Sequence, residues 1–178
     1  ISFIEDYYNK LKGKNFKRII AVGGGSIIDL AKILNSTSSV NELKNNIIDK
    51  RSELWVLPTT YATGSETSAG AIYKDEFGFK SGLRGMELVP DKVFYDIELF
   101  RTLPANIQRE SFFDLFSHVY ETSLSKKNTI TNFENSLFVI KKLLEWNNEN
   151  KLVIKKFSET MLKELSYCSF LSGINLRI

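Results

Sequence analysis

A glycine-rich turn lies between a predicted strand and a predicted helix near the start of the chain. The turn, Gly23-Gly24-Gly25-Ser26, follows the apolar run 18–22 and precedes residues 27–34, whose apolar positions recur at helical spacing. Glycines let a backbone approach a ligand closely, and a helix N-terminus offers unpaired N–H groups and the positive end of the helix dipole. The pattern therefore indicates a phosphate site. A tight turn in which Ser26 caps the helix is the alternative.

A second string, rich in hydroxyl side chains, follows the next predicted strand, residues 54–57, which ends at Pro58. Each Thr or Ser of this string, taken alone, is typical of a turn. Small hydroxylated residues also supply hydrogen-bond donors without bulk, as a dinucleotide requires at the carboxyl ends of parallel strands. The ordered string after the glycine turn favours the second interpretation, and its candidate binding residues are Thr59, Thr60, Thr63 and Ser65.

A carboxylate and the only histidine of the chain lie four residues apart, at Asp114 and His118. They fall in the segment 112–122, whose apolar period is helical. Residues at i and i+4 project from one face of a helix, so the two side chains can chelate a single cation. A hydrogen-bonded pair on a helix surface is the alternative.

These three strings together resemble the iron-containing (group III, metal-dependent) alcohol dehydrogenases. Residues 23–32 are similar to the family's Gly-Gly-Gly-Ser-x-x-Asp-x-Ala-Lys cofactor motif, and residues 58–66 to its Pro-Thr-Thr-x-x-Thr-Gly-Ser-Glu segment. Residues 112–118 resemble its metal half-site, with Phe112 where the family usually has glycine. The resemblance implies NAD or NADP as the cofactor and a divalent metal, Fe or Zn.

The resemblance also implies roles for individual residues. Asp114 and His118 become the metal ligands and the catalytic residues, and the metal would polarise a carbonyl or alcohol oxygen while hydride moves to or from the nicotinamide. Lys80 matches a family lysine near the cofactor ribose and nicotinamide, and a solvated strand lysine is its alternative interpretation. The implied cofactor-binding residues are Gly24, Gly25, Ser26, Asp29, Thr59, Thr60, Thr63, Ser65 and Lys80.

The rest of the pattern supplies the elements that position these residues. We predict a helix from Phe3 to Leu11, a loop over 35–46, a hairpin around the turn 75–78 and a strand over 92–96. After Leu103-Pro104 every segment has helical period, and the predicted helices span 112–122, 133–146 and 152–171. The fold class is therefore α/β. A Rossmann-like dinucleotide-binding domain (1–103) precedes the start of an all-helical metal-binding domain (104–178), as in the dehydroquinate synthase-like superfamily.

Composition restricts the class of partner. The chain has 178 residues, 43% of them hydrophobic, which is enough to bury a core. Its 24 basic and 21 acidic residues are scattered, so we expect no nucleic-acid partner. No apolar run approaches the roughly 20 residues that span a bilayer, so we expect no membrane partner. The single cysteine, Cys168, lies on an apolar stripe of a predicted helix, which favours a position in the protein core. A single cysteine also fits a reducing compartment, so we predict a cytoplasmic location.

The expected function is a metal-dependent, NAD(P)-linked alcohol dehydrogenase or aldehyde reductase that acts on a small alcohol or carbonyl compound. One alternative is a glycerol-1-phosphate dehydrogenase or dehydroquinate synthase-like enzyme, and another is a degenerate, non-catalytic nucleotide-binding protein. The family takes two further histidine ligands from later helices, whereas His118 is the only histidine here. We therefore expect residues 1–178 to be the middle of a longer enzyme. The resemblance is compatible with a homodimer.

Overall fold

The computed structural model describes residues 1–150 and 157–177 as strands and helices in alternation, followed by helices alone. The strands are β1 (Arg18–Gly23), β2 (Glu53–Pro58), β3 (Gly70–Lys74), β4 (Lys80–Arg84) and β5 (Lys92–Val93). The helices are α1 (Ser2–Leu11), α2 (Gly25–Ser36), α3 (Val40–Lys44), α4 (Ile97–Arg101), α5 (Ala105–Ser123), α6 (Ile130–Asn150) and α7 (Glu159–Asn175).

Three strands form a parallel sheet in the order β1-β2-β5, and this mixed α/β architecture confirms the predicted fold class. The centre of the sheet is apolar, with Leu54 and Val56 of β2 buried against Ala21 of β1 and Ile28 of α2. The register of β1 on β2 ends with Gly23 beside Pro58. The glycine turn and the hydroxyl-rich string therefore leave the same edge of the sheet side by side.

A separate antiparallel hairpin, β3-β4, packs against α2 beside the sheet. Its tight turn lies where the sequence predicts it, and Gly78 has a φ of +84°, a conformation that glycine adopts without strain. Ala71 and Leu83 form a second small core with Ile33 of α2. The hairpin is thereby held beside α2, the helix that begins at the glycine turn.

The helical part has the largest apolar core, which includes Leu115 of α5, Val139 of α6 and Leu165 of α7. Tyr61, from the hydroxyl-rich string after β2, is fully buried in this same core. The string therefore joins the sheet to the helices. Among the described residues, none of the helices combines the length and the apolar character needed to cross a bilayer.

Two local predictions are wrong. The segment 35–46, predicted to be a loop, contains α3, because the Ser39 hydroxyl caps the Glu42 N–H and Leu43 is buried. The strand predicted over 92–96 pairs only at 92–93, since Asp96 caps the short helix α4 that follows. The three predicted downstream helices are present, and α5 and α6 are longer at both ends than expected. Residues 152–156 of the last predicted helix lie outside the described residues, and its residues 157–158 are not helical, because Ser158 caps α7 at Glu159.

Candidate functional site

The glycine turn and the hydroxyl-rich string pack directly against each other at the edge of the sheet. The Thr59 N–H donates to the Gly23 carbonyl oxygen at 3.0 Å. A Cβ atom placed on Gly24 would lie 3.1 Å from Thr60 Oγ1, and one placed on Gly25 would lie 2.9 Å from Thr63 Cγ2. The threonines therefore occupy the space that a side chain at either glycine would need.

Helix α2 begins directly at the glycine turn and has no side-chain cap. Gly24 is the N-cap residue, and its carbonyl oxygen accepts the first helical bonds, from the N–H groups of Ile27 and Ile28 at 3.0 and 3.1 Å. The N–H groups of Gly25 and Ser26 precede these bonds and belong to the unpaired first turn. Ser26 is exposed and does not cap the helix. The structure therefore does not support the interpretation of Ser26 as an ordinary cap.

Asp29, one turn into α2, is buried and ties the helix to the hairpin. Its Oδ2 accepts the Ile72 N–H at 3.0 Å, whereas its buried Oδ1 has no hydrogen-bond partner in the described part of the chain. Burial raises the pKa of this carboxyl, opposed by the Ile72 N–H, by the charge of Lys32 and by Ser65. One oxygen thus serves the fold, and the other is buried at the wall of the site.

Lys32, a further turn along α2, is a buried cation that holds the end of the hydroxyl-rich string. Its Nζ donates to the carbonyl oxygens of Ser68 and Gly70 at 3.0 and 2.8 Å, and to the Ser68 hydroxyl at 3.1 Å. Burial lowers its pKa to about 8, opposed by the negative charges of Asp29 and Glu66. The sequence motif contains this lysine, but only the structure shows its three contacts.

The middle of the hydroxyl-rich string is fixed on α7. The Ala62 N–H donates to Ser169 Oγ at 3.0 Å, and Gly64, with a φ of +62°, lies so close to Gly173 that a Cβ on Gly64 would be 2.7 Å from the Gly173 Cα. The Thr67 hydroxyl donates to the Phe170 carbonyl oxygen at 2.9 Å. These contacts join residues about a hundred positions apart, so no local pattern predicts them.

Glu66 is a buried carboxylate that the sequence interpretation did not include among the site residues. Its Oε1 accepts the Ser169 hydroxyl at 2.6 Å and the Tyr95 hydroxyl at 2.9 Å. Burial raises the pKa of Tyr95, and the charge of Glu66 raises it further. Glu66 could have been found from the sequence, because it is the last residue of the matched Thr-Gly-Ser-Glu segment. Its contacts show that it anchors the hydroxyl-rich string.

Asp114 and His118 lie on one face of α5, as their spacing predicts. His118 Nε2 is 3.6 Å from Asp114 Oδ1, which is too long for a hydrogen bond. The side chain of His118 is 26% exposed and that of Asp114 47% exposed, so solvent or a ligand reaches both. His118 Nδ1 is buried and has no hydrogen-bond partner among the described residues. The surface hydrogen-bonded pair, the alternative interpretation, is therefore not formed.

One cavity of about 620 Å³ brings the predicted segments together. Eight of the predicted residues line it: Gly25, Ser26, Asp29, Thr63, Ser65, Lys80, Asp114 and His118. Gly24, Thr59 and Thr60 lie in the segments that border the cavity and are not part of its lining. A second cavity of about 690 Å³, beside α1 and the end of α2, contains none of the predicted residues. The chemistry of the site therefore belongs to the first cavity.

The donors in this cavity fit a metal ion only in part. Two bonds of about 2.1 Å to one ion together exceed 3.6 Å, so Asp114 Oδ1 and His118 Nε2 are near enough to share it. Within residues 1–150 and 157–177, no group of three or more His, Cys, Asp or Glu side chains is arranged to hold a metal. Among the described residues, Asp114 and His118 are therefore two donors without a third beside them.

Comparisons with known proteins agree with these features. The family model described as iron-containing alcohol dehydrogenase matches residues 1–97. A 4-hydroxybutyrate dehydrogenase of Cupriavidus necator is 36% identical over 60% of this chain and 31% of its own length. An alcohol dehydrogenase of Thermococcus barophilus is 27% identical over 81% of this chain and 41% of its own length.

Solved structures show the same fold over the whole chain. The iron-containing alcohol dehydrogenase of Thermococcus thioreducens superposes with a TM-score of 0.85 at 25% identity, over 100% of this chain and 50% of that one. The chain thus spans about a third of the curated relatives it matches and half of this solved structure. Because the family model covers more than half of the chain, the chain belongs to the iron-containing alcohol dehydrogenase family.

Proposed function

We propose that the protein is a metal-dependent, NAD(P)-linked alcohol dehydrogenase or aldehyde reductase that acts on a small alcohol or carbonyl compound. The observation that carries this proposal is the single cavity in which the start of α2, the hydroxyl-rich string, Lys80 and the pair Asp114 and His118 face one another. Phosphate-binding geometry and a metal half-site thus share one space. Curated relatives named as dehydrogenases support the proposal.

The dinucleotide is proposed to lie with its pyrophosphate at the start of α2. The unpaired N–H groups of Gly25 and Ser26 donate to the phosphate oxygens there, and the helix dipole favours their negative charge. Thr63 and Ser65 provide hydroxyl groups along the same wall of the cavity. NAD as cofactor is supported by a structural neighbour, the sulfoacetaldehyde reductase of Bifidobacterium kashiwanohense, which was solved in complex with NAD+ and shares the fold with a TM-score of 0.86. NADP remains an option within the proposal.

The metal is proposed to be held by Asp114 and His118 together with donors outside the described residues. A carboxylate and imidazoles suit Fe(II) as well as Zn(II). When bound, such an ion supplies Lewis-acid stabilisation of the charge on the substrate oxygen. His118 Nε2 lies 3.6 Å from Asp114 Oδ1, and both residues line the cavity.

The residues of this chain orient the reactants. The backbone at Gly25 and the wall of Thr63 fix the position of the cofactor, and α5 presents Asp114 and His118 from another side of the cavity. Holding two reactants in one geometry removes much of the entropic barrier to their reaction. Lys80 contributes a positive charge near the proposed cofactor ribose.

Location, partners, assembly and domain boundaries belong to the same proposal. We place the protein in the cytoplasm, because a chain with one cysteine fits a reducing compartment. A small alcohol or aldehyde is the proposed partner, with neither nucleic acid nor membrane involved, and a homodimer is the proposed assembly. Residues 1–103 are proposed as the dinucleotide-binding domain and residues 104–178 as the start of the helical, metal-binding domain.

A glycine variant tests the cofactor site. Gly24→Val should weaken NADH binding at least tenfold, because a branched side chain blocks close approach of the phosphate. Gly70→Val is the control, since a Cβ there meets its nearest atom, the Leu83 carbonyl oxygen, at an ordinary 3.7 Å. Calorimetry on the full-length protein measures both affinities. Equal affinity for NADH in wild type and Gly24→Val would refute the phosphate cradle.

A histidine variant tests the metal site. His118→Ala should lose bound metal and turnover together, because the ion loses one of its ligands. Glu110→Ala, an exposed change on the same helix, should retain both. Elemental analysis beside an alcohol oxidation assay decides the matter. Full metal occupancy with normal turnover in His118→Ala would remove His118 from the site, and dinucleotide binding without any turnover in wild type would favour the degenerate alternative.

A further inference from the structure

Two lysines stand directly opposite each other on the hairpin beside the cavity. Lys74 of β3 is the register partner of Lys80 of β4, so the two side chains project from the same face. Both line the cavity that holds the glycine turn and the Asp114–His118 pair. Like charges directly opposite each other in a hairpin are destabilising. The register therefore concentrates two positive charges at the wall of the cavity.

The carboxylates near the hairpin are engaged elsewhere. Asp75 Oδ1 accepts the N–H groups of Phe77 and Phe79, both at 2.9 Å, and Glu76 pairs with Lys44 at 2.6 Å. Among the described residues, no carboxylate lies within 4.0 Å of the ammonium of Lys74 or of Lys80. The two charges are therefore not neutralised by the fold.

Neither Asp29 nor Asp114, the acidic residues that line the cavity, forms an ion pair with these two lysines. Asp29 accepts the Ile72 N–H and lies near Lys32, and Asp114 stands beside His118. Directly opposite residues of an antiparallel pair have Cβ atoms about 5 Å apart, and lysine side chains are long and flexible. Two ammonium groups can thus converge on a single group of ligand oxygens.

We infer that Lys74 and Lys80 act together as a binding site for an oxyanion, a phosphate or a carboxylate, of the ligand in the central cavity. The inference rests on the proposed function and adds Lys74, which the matched motifs do not include. The oxyanion has two sources, a phosphate of the dinucleotide or a carboxylate of the substrate. Both sources present negatively charged oxygens that accept hydrogen bonds from ammonium groups.

The test compares Lys74→Gln, Lys80→Gln and the double variant with Lys44→Gln. Lys44 is the matched control, because it removes a charge near the same hairpin, from a pair with Glu76 that does not line the cavity. All three side chains to be changed are exposed, so the fold should persist. The melting temperature of the double variant should equal or slightly exceed that of wild type, since like-charge repulsion is removed.

Calorimetry with inorganic pyrophosphate, NADH and NADPH, and the KM values for 4-hydroxybutyrate and 1-butanol, identify the oxyanion. For one class of ligand, we expect the affinity of the double variant to fall at least tenfold or its KM to rise at least tenfold. The Lys44→Gln variant should keep the wild-type values. Loss for both dinucleotides assigns the pyrophosphate, loss for NADPH alone the 2′-phosphate, and loss for 4-hydroxybutyrate alone the substrate carboxylate. Unchanged values for every probe would overturn the inference. A wild type that binds pyrophosphate but neither dinucleotide would instead refute the proposed function.

Discussion

Replacing Lys32 by methionine removes a buried charge at the point where α2 holds the hydroxyl-rich string. Lys32 has no exposed surface, and its ammonium makes three hydrogen bonds to the segment 68–70. Methionine is similar in size and flexible, so the change leaves little empty space. It therefore isolates the role of the charge and of its hydrogen bonds.

The pH dependence of the free energy of unfolding gives the clearest magnitude for the effect of the buried Lys32 charge. The pKa of Lys32 falls from its ordinary 10.5 to about 8 in the folded chain, mainly through burial. Between these two values the unfolded chain binds more protons than the folded one, so the stability of the wild type rises with pH. The slope is about 1.4 kcal/mol per pH unit, or about 3 kcal/mol across the window. Below pH 8 this contribution is constant.

Urea unfolding followed by circular dichroism at pH 7.5, 8.5 and 9.5 measures this effect. The free energy of unfolding of wild type should rise relative to that of Lys32→Met by about 1.4 kcal/mol per unit above pH 8. Lys44→Met is the control, because Glu76 raises the pKa of that exposed lysine above its ordinary value and no such rise is expected. If the difference in the free energy of unfolding between wild type and Lys32→Met did not change with pH, the claim that burial lowers the pKa of Lys32 would be wrong.

Three further predictions concern the packing around the site. Gly173→Ala should lower the free energy of unfolding by more than about 2 kcal/mol, because the new methyl group would collide with the Gly64 carbonyl oxygen; an unchanged melting temperature would contradict this close approach. Leu115→Ala, fully buried between helices, should cost about 2–5 kcal/mol in chemical denaturation, and a loss below 1 kcal/mol would count against that core. Cys168 should resist iodoacetamide at pH 8 in the folded protein, and rapid labelling would show that its thiol is accessible.

The sequence predicted the segments that meet at the site because each depends on a short local pattern. The glycine turn follows a strand and begins a helix, and Asp114 and His118 follow the spacing of one helix face. Parallel strands then bring the ends of β1 and β2 to the same edge, as their register shows. These features need no knowledge of distant contacts.

The remaining features depend on contacts between distant residues. Helix α3 has only five residues, which is too short for an apolar period to appear. The anchoring of Glu66 by Ser169, and the contact of Gly64 with Gly173, join positions more than a hundred residues apart. The pairing of Lys74 with Lys80 depends on the register of the hairpin, which the turn residues alone did not define.

A crystal structure of the full-length protein grown with NADH and Fe(II) tests the central claim most directly. The account predicts phosphate oxygens of the dinucleotide within about 3 Å of the backbone nitrogens of Gly25 and Ser26. It also predicts an iron ion within about 2.2 Å of His118 Nε2 and of a carboxylate oxygen of Asp114. A dinucleotide bound away from the start of α2, or an iron ion that contacts neither Asp114 nor His118, would contradict the account.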